Sequence, residues 1–260
     1  MNLLAARVVL RQRSMSDALD LALPFCLANK RPLGILALVI LGPIAALLGY
    51  LRIAKHWSWV PLWLLCVGAS LIVQGAFTIA MGELLFKPPA ETRVRTFVAR
   101  FLRRLPALVF ATVMRLVLLT LTLLILAPTR IFVPEAILLE GASFGKAMSR
   151  SGALARNRGG FCLGVWLAAA LLPAVGAMSM DLLGNSVTSF VFQLGYPTGQ
   201  LFEDGGSGFA VLGALLAVPL VAAVRFLGYI DLRTRKEGWD IQLRFVALAE
   251  QSALLRKRAA

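Results

Sequence analysis

Apolar residues in this chain fall in long runs separated by short stretches rich in arginine and lysine. A helix needs about 20 mostly apolar residues to cross the hydrocarbon layer of a bilayer. The runs at 33–51 and 58–82 meet this requirement without a charged residue. Two later runs, 161–180 and 208–230, are as long, and the second contains one arginine. The pattern predicts a spanning helix at each of these four positions.

The middle of the chain predicts two further spans, one of them short. Residues 106–129 are apolar except for Arg115 and form a third span. The next segment, 130–141, is brief and is flanked or interrupted by Pro128 and Pro134, which break helices. We interpret it as a short, kinked fourth span that returns the chain to its starting side. The predicted fold class is an all-α, polytopic helical membrane protein with about six transmembrane segments.

The polar stretches between the spans combine basic residues with apolar residues at helical spacing. This pattern predicts amphipathic cytoplasmic helices in the membrane interface, at 14–30, 91–105 and 143–158. No Ser/Gly-rich linker divides the chain, so we treat residues 1–260 as a single transmembrane domain. Its predicted parts are a cytoplasmic amphipathic segment (1–32), a membrane-spanning core (33–230) and a cytoplasmic amphipathic tail (231–260).

The composition supports a lipid environment. Of 260 residues, 59% are hydrophobic and 15% are charged, with a mean hydropathy of +0.79. Soluble domains contain only about 45–50% apolar residues. The formal net charge is +14. Because the basic residues flank the apolar runs instead of forming a separate domain, we predict contact with anionic lipid headgroups and no nucleic-acid partner.

The distribution of lysine and arginine predicts the orientation, since these residues stay on the cytoplasmic side. They number 5, 6, 4 and 7 in residues 1–31, 87–104, 146–158 and 231–260. The opposite connections contain only Arg52, Lys55 and Arg130, and the connection 181–207 has no basic residue. We therefore predict that both termini are cytoplasmic and that residues 181–207 lie outside.

Side chains that carry most enzyme chemistry are sparse. His56 is the only histidine, and its position beside aromatic residues in a predicted outer loop is typical of a membrane interface. Cys26, Cys66 and Cys162 lie in or beside apolar runs and lack metal-binding spacing. No glycine-rich phosphate loop occurs. We predict no catalytic residue, no metal and no cofactor.

Three charged residues form a candidate intramembrane cluster: Glu83, Arg115 and Arg225. All three are expected in the inner leaflet, and an unpaired charge at a helix centre costs about 2.5–3.5 kcal/mol. Arg225 can extend to the surface more easily than Arg115, so we predict an ion pair between Glu83 and Arg115. The alternatives are pairing with Arg225, and a polar site for an anionic headgroup or a moving proton.

The residues after the last run alternate in charge. If the helix continues past 230, Asp231 reaches Arg235 and Asp240 reaches Arg244 at the i,i+4 spacing that stabilises helices. Trp239 occupies a position where an indole anchors at headgroup level. We predict a helix that leaves the membrane and turns along its surface, with partner docking as the alternative.

Part of this chain follows a recognisable pattern. Pro134 and Glu140 precede an Ala-x-x-x-Ser helix and a basic turn, and the last run is followed by an Asp-x-Arg-x-Arg-x-Glu-Gly-x-Asp segment. The matching positions are Ala147, Ser151, Arg156, Asp231, Arg233, Arg235, Glu237, Gly238 and Asp240. In them the chain resembles a group of poorly characterised bacterial six-helix membrane proteins and the membrane domain of glycerophosphoryl diester phosphodiesterases. The resemblance implies a bacterial inner-membrane protein and no activity, since phosphodiesterase catalysis belongs to a separate soluble barrel.

These observations favour a non-enzymatic inner-membrane protein that acts as a scaffold or subunit of a membrane complex. Its partners would be membrane lipids and other proteins of that complex. The candidate interface motif comprises Glu140, Arg150, Asp231, Arg233, Arg235, Glu237, Trp239 and Asp240. The alternative is a transporter or lipid-handling protein, because inner-leaflet charges and a proline-broken helix are features of transport sites.

Overall fold

The computed structural model describes residues 14–85, 93–122 and 127–237. Within these ranges the chain is helical and contains no β-strand. The α-helices are α1 (Met15–Ala28), α2 (Lys30–Ala54), α3 (Trp59–Leu84), α4 (Val94–Leu121), α5 (Val133–Glu140), α6 (Phe144–Ala155), α7 (Gly159–Ser186), α8 (Gly208–Leu216) and α9 (Val218–Glu237). A 3₁₀ turn at Pro128–Arg130 precedes α5, and a π turn at Val187–Val191 follows α7. The predicted all-α class is confirmed.

Four helical segments are long and apolar enough to cross a membrane: Lys30–Ala54, Trp59–Leu84, Gly159–Val191 and Gly208–Lys236. They correspond to the runs at 33–51, 58–82, 161–180 and 208–230, whereas α4, which contains most of the predicted span 106–129, is not among them. Their outward side chains are also apolar, as with Leu38, Leu64 and Leu182, which are 75%, 71% and 70% exposed. A continuous apolar exterior of this kind fits lipid chains as the surrounding medium.

The last of these segments forms the centre of the fold. In Gly208–Lys236, 72% of the apolar window is buried, against 22% in Lys30–Ala54. Its second helix, α9, packs against α1, α3 and α7. Phe226 and Tyr229 are almost fully buried there. Arg225 on the same helix is 5% exposed and lies in the protein interior, so it does not extend to the membrane surface.

Two facing glycines hold α7 against α8. A Cβ atom on Gly213 would lie 2.1 Å from the carbonyl oxygen of Gly176, and one on Gly176 would lie 2.7 Å from that of Gly213. Neither position has room for a side chain, so the two backbones touch directly. Close approach at small residues is a common basis of helix packing in membranes. This contact sets the position from which the chain enters α9.

The helix α1 begins with a local hydrogen-bonded cap. Ser14 Oγ accepts a hydrogen bond from the Asp17 backbone, and the Asp17 carboxylate accepts one from the Ser14 backbone, both at 3.1 Å. The helix packs on α9, where the rings of Phe25 and Phe226 lie 6.4 Å apart. The predicted segment 14–30 is therefore largely helical, and its location in the interface stays a prediction.

The short segment 130–141 has contacts that differ from those expected of a fourth span. Arg130 Nη1 donates to the carbonyl of Met148 in α6 at 2.5 Å, and Ser151 Oγ donates to the carbonyl of Thr129 at 2.9 Å. Arg130, placed outside by the sequence, therefore lies beside α6, which the sequence placed inside. The helix α5 has eight residues, which gives a length of only about 12 Å. The chain is already on the α6 side before α5 begins.

The predicted outer connection 181–207 also begins differently. The helix α7 continues past Asp181 to Ser186, and Asp181 is only 9% exposed. Its carboxylate accepts hydrogen bonds from Asn185 Nδ2 at 3.0 Å, from the Leu201 backbone at 3.3 Å and from Ser207 Oγ. Asp181 thus lies within α7 and not in the connection, and its hydrogen bonds to Leu201 and Ser207 hold the returning loop against the end of the helix.

Candidate functional site

Arg225 lies in a buried polar cluster between α3, α5 and α9. Its side chain is 6% exposed, and its Nη2 atom lies 2.9 and 3.0 Å from the two carboxylate oxygens of Glu135. The same nitrogen donates to the carbonyl of Ile131 at 2.9 Å, and Nη1 donates to Gln74 Oε1 at 2.8 Å. The charge that was expected near the surface is therefore paired inside the protein.

The local sequence explains how Glu135 reaches this depth. Pro134 stands in the first turn of α5, where its missing N–H costs no hydrogen bond, and Gly141 ends the helix with a φ of 69°. Glu135 lies in the same first turn, where the helix dipole favours a carboxylate. Glu135 was not among the charges predicted to form the cluster. Its signal was a lone acid within the apolar stretch 131–139.

The predicted ion pair between Glu83 and Arg115 is wrong. Glu83 pairs with Arg100 of α4, whose side chain is 50% exposed. The reason is the depth at which α3 and α4 cross. Gly75 of α3 faces Phe101 and Leu108, so the first half of α4 lies along the last part of α3. Arg115 lies further along α4, away from Glu83.

Arg115 lies instead near the buried pair. It is close enough to Arg225 and Glu135 to interact electrostatically with both. Over residues 14–85, 93–122 and 127–237 it makes no hydrogen bond or ion pair. Two of the three predicted charges are therefore close together, but the acid between them is Glu135. Two arginines and one glutamate leave this cluster with a net charge of +1.

Glu140 joins three helices at the end of the bundle where α4 begins and α9 ends. Its carboxylate lies 2.6 Å from Arg150 Nε in α6 and 3.4 Å from Arg233 Nη1 in α9. It also accepts a hydrogen bond from the Tyr229 hydroxyl. The Arg233 guanidinium stands 5.9 Å from the centre of the Tyr229 ring. Three residues of the predicted interface motif, Glu140, Arg150 and Arg233, thus meet, and one carboxylate pairs with two guanidinium groups.

The remaining residues of the motif have different positions. The predicted pair of Asp231 and Arg235 forms at 2.7 Å, and the Asp231 side chain is 1% exposed. Glu237 is the last residue of α9, so the helix continues past 230 as expected. Trp239 and Asp240, and the predicted pair of Asp240 with Arg244, lie outside the described residues.

No protein-family model, curated protein or solved structure matches this chain. The resemblance to bacterial six-helix membrane proteins and to the phosphodiesterase membrane domain therefore stays a prediction. Within the described ranges no three His, Cys, Asp or Glu side chains lie close enough to hold a metal ion. The features that a functional proposal can use are the buried cluster around Arg225, the half-buried network around Glu140 and the surfaces around them.

Proposed function

We propose that this chain is a non-enzymatic integral membrane protein that serves as a scaffold or subunit of a membrane complex. The observation that carries the proposal is the network around Glu140, which ties α5, α6 and α9 together. A satisfied polar network rigidifies the elements it joins. The cytoplasmic end then has one fixed arrangement, as a docking surface requires.

The surface around this network is basic. Exposed cations on α4, on α6 and in the turn before α7 are Arg93, Arg95, Arg103, Lys146, Arg156 and Arg158. A surface of this charge favours a partner with an acidic segment and steers its approach. In the proposal, the ion-paired residues Glu140, Arg150 and Arg233 fix the arrangement of the helices. The six exposed cations form the surface that contacts the partner.

The location is part of the proposal: the bacterial inner membrane, with both termini in the cytoplasm. It is supported by the concentration of lysine and arginine on one set of connections. Gly141 lies next to Arg104, so the end of 130–141 lies beside the first half of α4, on the side proposed as cytoplasmic. Two cytoplasmic termini require an even number of crossings.

Charge reversal tests the scaffold proposal. The variant Arg156→Glu places an acid on the proposed contact surface, and Lys55→Glu makes the same change at an exposed residue of the opposite end. We expect chemical cross-linking in membranes, followed by purification in mild detergent, to recover a defined partner with the wild type and the control. The first variant should lose it. Repeated recovery of a partnerless wild-type chain would contradict the proposal.

A second candidate function is transport or lipid handling. It is favoured by the unequal charge of the buried cluster, where Arg115 and Arg225 face the single carboxylate of Glu135. Charges inside a membrane protein commonly mark the path or site of a polar ligand. Reconstituted wild-type protein that retains a bound anion or lipid would support this candidate if Arg115→Gln retains less of it. Identical retention by both proteins would argue against this cluster as the site.

A further inference from the structure

A cavity of about 510 Å³ lies at the end of the bundle opposite Glu140, between α2, the start of α3 and α8. Leu48 and Leu62 form part of its wall and are buried, whereas Arg52 and His56 also line it and are exposed. The cavity therefore has an apolar floor and a basic rim. Its volume lies within the range of about 300–1,000 Å³ that is usual for ligand pockets.

The guanidinium of Arg52 is held at this rim by two contacts. Its Nη1 atom donates to the carbonyl of Trp57 at 3.0 Å, and its central carbon lies 4.6 Å from the centre of the Trp59 ring. A guanidinium has five N–H donors. In the described part of the chain only Nη1 has an acceptor. The other donors are free, and a positioned guanidinium is suited to bidentate binding of a phosphate.

The charges around the cavity also favour an anion. None of the residues that line it within the described ranges is acidic. The carboxylate of Asp204 lies close to Gly199 of the wall and accepts a hydrogen bond from the Gln200 backbone at 2.8 Å. Lys55 is exposed near the rim. The lining residues themselves therefore carry a net positive charge, which comes from Arg52.

The surroundings indicate that the ligand is a lipid. Trp57, Trp59 and Trp63 lie at this end of the bundle, and tryptophans concentrate at the boundary between headgroups and acyl chains. On the helices beside the cavity, Ile53 and Leu216 are 76% and 60% exposed. Acyl chains are therefore the medium that meets the apolar part of the opening, and phosphates are at the level of the basic rim.

We propose that this cavity binds one anionic phospholipid, with its phosphate on Arg52 and one acyl chain between α2 and α8. The inference rests on the lipid-handling candidate function and does not depend on the scaffold proposal. It names a site that is separate from the buried Arg225 cluster. The ligand class follows from an apolar cavity that combines a fixed guanidinium with an opening at the membrane boundary.

The chain offers matched variants for a test. A Cβ atom on Gly49, which lines the cavity, would meet no atom within 4 Å, so Gly49→Leu adds side-chain volume at the wall without a clash at its Cβ. Gly42 on the same helix is equally open and lies outside the cavity, which makes Gly42→Leu the control. Arg52→Gln removes the fixed cation, and Lys55→Gln removes a neighbouring cation that does not line the cavity.

The measurement is native mass spectrometry of purified protein mixed with equal amounts of phosphatidylglycerol and phosphatidylcholine of the same chain length. We expect the wild type to retain one phosphatidylglycerol in preference, and excess inorganic phosphate not to displace it. Arg52→Gln should lower the preference about fivefold, the factor equivalent to about 1 kcal/mol for one basic residue. Gly49→Leu should lose the lipid, and both controls should behave as wild type.

The proposal is overturned if the wild type shows no preference, if Arg52→Gln keeps it, or if free phosphate displaces the lipid. Protection of the buried Cys66 thiol reports whether each variant is folded. If Gly49→Leu does not fold, the Arg52→Gln result decides alone. Lipid that is retained equally by all variants excludes this cavity but leaves the lipid-handling function open. A chain that retains no lipid in any form contradicts both.

Discussion

Replacing Glu135 by glutamine removes the carboxylate that faces Arg225 and preserves the size of the side chain. The two side chains are 2% and 6% exposed, so water does not compensate the arginine after the change. Breaking a buried ion pair by removing one partner costs about 3–5 kcal/mol. Gln74 and the carbonyl of Ile131 remain as acceptors at 2.8 and 2.9 Å. We therefore expect Glu135→Gln to lower the free energy of unfolding by about 3 kcal/mol, near the lower end of this range.

The free energy of unfolding can be measured by titrating the protein with a denaturing detergent. Cys66 and Cys162 are 1% and 0% exposed, so their modification by a thiol reagent reports opening of the fold. The double variant Glu135→Gln/Arg225→Gln removes both charges of the pair and leaves Arg115 as the one charge of the cluster. We expect it to be no less stable than Glu135→Gln, which corresponds to a coupling energy of about 2–3 kcal/mol between the two positions.

Glu83→Gln is the control, because it makes the same chemical change in a pair whose arginine, Arg100, is half exposed. Pairs of that kind contribute about 0–1 kcal/mol. Equal losses of stability in Glu83→Gln and Glu135→Gln would contradict this expectation, since burial would then not decide the effect. Simple additivity of the losses in Glu135→Gln and Arg225→Gln would also contradict it.

Three further outcomes are expected. Gly213→Val should lower the yield of folded protein on size-exclusion chromatography, because its Cβ meets the α7 backbone at 2.1 Å; Gly68→Val, with open space around the Cβ, should not. Tyr229→Phe should lower the free energy of unfolding by about 1.5–3 kcal/mol in the detergent titration, since a hydrogen bond to a charged carboxylate is lost. In a cysteine-free background, cysteines at Lys55 and Lys146 should react with an impermeant reagent from opposite faces, and labelling from one face would contradict the orientation.

Local patterns in the sequence predicted the features that depend on one segment. The runs at 33–51 and 58–82 predicted long apolar helices, because transfer of a helix into lipid depends mainly on its own side chains. The pair of Asp231 and Arg235 was predictable because both partners lie on one face of one helix. Neither feature requires knowledge of the neighbouring helices.

Contacts between segments were not predictable in this way. Glu83 was matched to Arg115 by its distance along the chain from a supposed membrane surface, but the crossing of α3 and α4 brings Arg100 to it. Arg130 was assigned to the outside because it follows an apolar run, yet it bonds to Met148 in α6. In both cases the error was one of depth, which a count of residues along the chain does not measure.

Composition and helical spacing are enough to predict a helical protein with long apolar segments and a basic set of connections, because both act locally. Tertiary structure decided which charges are paired. Glu135 reaches Arg225 only because the short helix α5 packs between α3, α4 and α9, and Glu140 meets Arg150 and Arg233 only where α5, α6 and α9 converge. The relative rotation and depth of helices depend on the packing of many side chains at once. A sequence pattern therefore predicts which charges need partners, and the packing of the helices determines which partner each charge meets.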